Sequence, residues 1–127
     1  MIKSIRGAIT CDKNCKTDIL SNATQLLNAI ISANKLSKDE IICIFFSCTS
    51  DLDKVYPAVA ARQLGFTDIG LMCFQEMQVE NSLKMCIRVM LLVNQKNQRD
   101  VVHVYLKGAE KLRPDLKLSN FLQNERD

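Results

Sequence analysis

Glu76 and Arg88 put one carboxylate and one guanidinium into segments that are otherwise apolar, Cys73-Phe-Gln-Glu-Met and Lys84-Met-Cys-Ile-Arg-Val-Met. An ionised group in a sheet is costly to desolvate unless it is paired or meets a polar ligand. Two readings follow: an intramolecular salt bridge, or a pocket for a charged molecule. Strand alternation extends the set. Arg6 points away from Ile5 and Ile9, Arg88 away from Met85, Ile87, Val89, Leu91 and Val93, and Tyr105 away from Val102, Val104 and Leu106. Each therefore sits on the less apolar side of its strand. Arginines with a Glu and a Tyr suit a small polyanion and can stabilise developing charge without covalent chemistry.

Other chemistries find less support. His103 is the only histidine, and no Ser or Cys stands in a nucleophile-elbow setting, so a triad is not indicated. Gly7, Gly65, Gly70 and Gly108 are scattered rather than gathered into a phosphate loop, which argues against nucleotide cofactors. Cysteines 11, 15, 43, 48, 73 and 86 lack the paired spacing of a zinc knuckle and read as reduced thiols, with no metal expected. Cys43, Cys73 and Cys86, inside apolar segments, behave as small hydrophobes. The net charge of +3 comes with lysines spread singly, so no nucleic-acid surface is expected. An N-terminus of Met-Ile-Lys-Ser-Ile-Arg-Gly, and no stretch of membrane-span length, point to a cytoplasmic protein without membrane contact.

The elements that must position these groups are legible as periods. With 127 residues, of which 47% are hydrophobic, the chain can bury the core of one domain. Residues 2 to 10 alternate as a strand. Apolar residues at 19, 20, 23, 26, 27, 30 and 31 predict a long helix over 18–33, with Thr17 as N-cap and Asn34 at its exit. Ser37-Lys-Asp-Glu40 has capping-box spacing, and the run 41–48 is β-branched and aromatic enough for a buried strand. Tyr56-Pro-Ala to Gly65 predicts a short helix, Pro opening it and Gly stopping it. Strands are expected over about 69–75, 83–93 and 101–106, followed by a polar tail over 117–127. The result is an α/β (α+β) chain with a mixed sheet of about five strands, one long helix and one short one. Met90 and Leu92 on the mixed face of their strand suggest that this face meets another subunit.

Taken in order, Ile5-Arg-Gly-Ala, Tyr56-Pro-Ala with Arg62, Cys73-Phe-Gln-Glu-Met, Cys86-Ile-Arg-Val-Met, His103-Val-Tyr-Leu and Leu112-Arg-Pro-Asp-Leu strongly resemble the monofunctional bacterial chorismate mutases of the Bacillus type. The resemblance runs from residue 2 to about 118. It implies a single mutase domain over 1–116 and a homotrimer forming a pseudo-α/β-barrel with active sites at subunit interfaces. It implies a cofactor-free [3,3] rearrangement of chorismate to prephenate, leading to phenylalanine and tyrosine. By the same resemblance Arg88 bridges the breaking ether oxygen and a carboxylate, and Glu76 accepts from the ring hydroxyl with help from the Cys73 backbone. Arg6 and Tyr105 hold carboxylates, Arg62 and Arg113 lie near the mouth, and Tyr56, Ala58 and Leu112 supply walls.

Since Cys73 and Glu76 point to opposite strand faces, each site is expected to draw on two chains. Arg6, Glu76, Arg88 and Tyr105 would come from one, and the Tyr56 to Cys73 region from its neighbour. Tyr56, Val59 and Met72 depart from the family pattern, which usually has Phe, Lys and Thr there; the missing Lys removes one electrostatic contribution to substrate capture. Two other functions compete: a trimeric deaminase or endoribonuclease of the YjgF-like group, whose own strand motifs are not seen here, and a non-catalytic trimeric binder of a small anionic metabolite.

Overall fold

The structure, a computed structural model, describes residues 1–113. The expected tail over 117–127, and the end of the Leu112 motif, lie outside the described residues. Strand β1 (Ile2–Thr10) leads to helix α1 (Lys16–Asn34), a 3-10 turn over Lys38–Glu40 and strand β2 (Ile41–Cys48). Helix α2 (Ala58–Gln63), strands β3 (Gly70–Gln75), β4 (Cys86–Asn94) and β5 (Val104–Leu106), and a 3-10 turn over Lys107–Lys111 complete the order. The strands form one mixed five-stranded sheet, as expected, in the order β3-β2-β4-β1-β5. No helix among the described residues is long and apolar enough to cross a membrane.

One face of the sheet carries the core. Ile5 and Ile9 of β1, Ile44 and Phe46 of β2, and Ile87, Leu91 and Val93 of β4 pack with Ile19, Ala23, Leu26, Leu27 and Ile30 of α1 and the alanines of α2. Each large side chain buried this way contributes about 1.5–3 kcal/mol of transfer free energy. Gly7 lets α1 lie close on β1: a Cβ there would fall 2.7 Å from Ile30 Cδ1 and 2.9 Å from the Val104 carbonyl oxygen. On the opposite face the turn over Lys107–Lys111 covers a second, smaller cluster of Ala8, Cys86, Tyr105 and Ala109. The rest of that face is open, with Met72, Phe74 and Met90 exposed.

Several boundaries differ from the expectation, each for a side-chain reason. Helix α1 begins at Lys16 with Cys15 rather than Thr17 as N-cap, and no side chain caps it. The nearby Asp18 carboxylate instead accepts from the backbone N–H groups of Asp12 and Lys13, folding the approach to the helix. Asn34 closes α1 as expected, and Lys35 follows in the left-handed region with φ 50°. The Ser37 and Glu40 capping box is formed in both directions. Pro57 stands just outside α2, one position before its first helical residue. Strand β4 begins at Cys86, not 83, because Met85 turns the chain with φ 55° while its N–H donates to the Asp51 carboxylate. Strand β5 begins at Val104, not 101, because Asn34 takes both backbone groups of Val102: its Nδ2 donates to the carbonyl at 2.9 Å, and its Oδ1 accepts the N–H at 2.7 Å.

Candidate active site

The strand registers assemble the site. Arg6 is in register with Met90, and Met90 with Phe45, which in turn faces Met72. One step along, Tyr105 is in register with Ala8, Ala8 with Arg88, Arg88 with Ser47, and Ser47 with Phe74. Partners in register project from the same face, so these two rows make the open side of the sheet basic at one end and apolar at the other. Ala8, fully buried between Arg88 and Tyr105, keeps the floor low. Above it lies a depression of about 490 Å³ lined by Arg6, Phe45, Ser47, Phe74, Arg88, Met90, Tyr105, Leu112 and Arg113.

Glu76 reaches this face from just beyond β3, whose pairing is prolonged by the Glu76 N–H donating to the Cys48 carbonyl. Its Oε2 stands 3.0 Å from Arg88 Nε and accepts from Ser47 Oγ at 3.1 Å. The salt bridge considered from sequence therefore exists, and it borders the depression. With 44% of the Arg88 side chain exposed, such a pair adds only about 0–1 kcal/mol to stability. That is too little to explain why a charge stands within β4 and another at the end of β3. The pair instead fixes the guanidinium: Glu76 engages Nε, one of five N–H donors, and orients the planar group.

The remaining residues fall elsewhere. Tyr56 and Cys73 line a separate depression of about 600 Å³ with Lys16, Cys48, Pro57 and Phe74. Ala58 and Arg62 stand beside Cys73, Ala58 through a backbone hydrogen bond and Arg62 through its charge. Thus Arg6, Glu76, Arg88, Tyr105, Leu112 and Arg113 gather on one side of β3, and Tyr56, Ala58, Arg62 and Cys73 on the other. Phe74 borders both depressions. Of the departing positions, Tyr56 and Met72 are exposed and Val59 is half-buried.

Four of the thiols, Cys11, Cys48, Cys73 and Cys86, are poor nucleophiles. Burial pushes Cys86 up to about 11, against the charge of neighbouring Arg88, and pushes Cys11 and Cys48 up to about 12. Burial likewise raises Cys73 despite Ala58 and Arg62. All four are protonated at neutral pH. No group of three or more His, Cys, Asp or Glu among the described residues could hold a metal ion.

Sequence reasoning missed Ser47, Phe45 and Phe74. Ser47 carried a signal, as the only hydroxyl in the run Ile-Ile-Cys-Ile-Phe-Phe-Ser-Cys of β2. The two phenylalanines carried none, since their place depends on the register of β2 with β3 and β4.

The profile of the chorismate mutase type I family matches residues 2–116. The chain is 41% identical over 121 residues to chorismate mutase AroH of Bacillus subtilis (strain 168), covering 94% of this chain and 95% of that protein. It is 40% identical over 118 residues to chorismate mutase AroH of Thermus thermophilus, covering 91% and 97% respectively. Among solved structures, a chorismate mutase from Clostridium thermocellum superposes with a TM-score of 0.82 at 44% identity, covering 86% of this chain and 98% of that one.

Proposed function

The chain belongs to the chorismate mutase type I family, a family of isomerases, and on that premise we propose that it rearranges chorismate to prephenate at a site shared between subunits of a homotrimer. The observation that carries the reading is Arg88, held through Nε by Glu76 at the floor of a depression walled by Arg6, Tyr105 and Arg113. In the rearrangement an ether C–O bond breaks as a C–C bond forms, no atom leaves, and no proton needs to be transferred. Catalysis then rests on holding a folded substrate and stabilising charge as the ether oxygen becomes electron-rich.

Arg88 supplies that charge, with N–H donors other than Nε turned to the ether oxygen and a carboxylate. Glu76 orients Arg88 and accepts from the ring hydroxyl, while Arg6 and Tyr105 bind carboxylates. Arg113 draws in the dianion, and Leu112 forms wall. The separation of Tyr56, Ala58, Arg62 and Cys73 from this set within one chain supports a site completed by the neighbouring subunit. The exposed apolar face with Met72, Phe74 and Met90 supports the same association. We place the enzyme in the cytoplasm, in the formation of phenylalanine and tyrosine, working without cofactor and without nucleic-acid or membrane partners.

The test is the disappearance of chorismate absorbance with purified protein beside an Arg88→Ala variant. Turnover by the wild type, with prephenate formed, should fall at least about 10²–10³-fold in the variant. Equal rates would remove Arg88 from the chemistry; no turnover by a folded, associated wild type would sink the proposal.

A further inference from the structure

The Arg6 backbone lies where the β1–β5 ladder stops. The paired registers run Gly7 with Val104, Ala8 with Tyr105 and Ile9 with Leu106. One residue earlier a regular ladder would continue to the segment before β5, but the Val102 carbonyl and N–H are already engaged by Asn34. The Arg6 N–H instead donates to the Nδ1 of His103 at 2.9 Å. Such a bond requires an unprotonated Nδ1, so the imidazole is neutral with its proton on Nε2.

We infer that His103 is a positioning residue for Arg6, its Nδ1 replacing a backbone carbonyl at the end of the ladder and fixing the strand segment that presents the Arg6 guanidinium. The inference rests on the reading of Arg6 as a carboxylate ligand of chorismate. Toward β4 Arg6 is only in register with Met90, because its N–H points the other way, so the imidazole supplies the anchor for that N–H. Losing it leaves a half-buried N–H without its partner and lets the end of the ladder fray under a ligand-binding side chain.

The bond also has a pH signature. Burial, then the positive charges of Arg6 and Arg113, hold the His103 imidazole below its ordinary 6.5. With the folded value depressed, the contribution is complete above the unfolded value and is lost as pH falls through the folded one. Protonation places a hydrogen on Nδ1 and breaks the contact.

The experiment measures kcat and KM for chorismate from neutral to acid pH in wild type, His103→Leu, His103→Asn and Arg6→Ala. The Asn Oδ1 offers an acceptor near the position of Nδ1 but does not titrate. His103→Leu should raise KM about tenfold with kcat changed far less, as expected for a lost hydrogen bond acting on binding, and His103→Asn should restore KM to within about twofold. Wild-type KM should rise on the acid side of the ordinary histidine range, and that of His103→Asn should stay flat there. If Arg6→Ala raises KM while His103→Leu does not, the inference is overturned and the role of Arg6 stands. An unchanged KM in Arg6→Ala overturns the site reading itself. Equal losses in the Asn and Leu variants assign His103 to packing and overturn the inference. Should the Leu variant fail to fold, the pH profile decides: an acid rise in His103→Asn matching the wild type overturns it.

Discussion

Arg88 is oriented through Nε by Glu76, with Cys86 beside it, and in the proposed reaction the planar edge of its guanidinium meets the ligand, which makes shape as important as charge. Arg88→Lys keeps the positive charge but cannot hold Glu76 through Nε while meeting two ligand atoms with a planar edge. We expect kcat/KM to fall by at least about 10²-fold in steady-state assays, close to the loss in Arg88→Ala. A variant within a few-fold of wild type would show that sign alone suffices. Glu76→Gln retains an oxygen for Ser47 Oγ and the ring hydroxyl while losing the ion pair, so it should lose less than Glu76→Ala. Indistinguishable, wild-type rates in both would remove Glu76 from the site. Cys86 is buried beside Arg88 and protonated, so its contribution is to fill the floor rather than to react.

Among the elements, the contact between α1 and β1 is the tightest constraint on where Arg6 sits. Gly7→Ala would drive a methyl against Ile30 and the Val104 carbonyl, and the backbone oxygen cannot move aside as a side chain can. Denaturant titration should show a loss of about 1–3 kcal/mol. Wild-type stability would mean that the strand and helix separate freely. Asn34→Leu would orphan both backbone groups of Val102; each costs about 1–3 kcal/mol when buried without a partner, and the Val102 amide should lose protection from hydrogen exchange. The strands and helices were legible because their apolar periods are local. Their ends were not: residues 68 positions apart set the start of β5, through Asn34 and Val102, and residues 34 apart set that of β4, through Asp51 and Met85. The same division holds at the site. Parity alone put Arg6, Arg88 and Tyr105 on one face, whereas Ser47 and Phe74 join them only through pairing between strands distant in sequence.

At the scale of the molecule, an open apolar face beside an edge strand is an incomplete surface. Met72 of edge strand β3 is 56% exposed and Phe74 49%, next to a row of Phe45 and Met90. Sedimentation should find three-chain particles. Met72→Asp should shift them toward single chains that retain the secondary structure by circular dichroism but lose turnover; an active single chain would rule out a shared site. The strand order carries a different consequence, in time. The first strand made lies between two of the last, paired with β4 and β5 through residues such as Ala8 with Arg88 and with Tyr105. At about 5–20 residues per second, β1 leaves the ribosome on the order of ten seconds before the strands that flank it. During that interval the arginine destined for the site sits on an unpaired strand, exposed to any other edge it meets. Pairing with a neighbouring copy is then the competing outcome, so the protein's yield depends on how fast and how far apart its nascent chains are made.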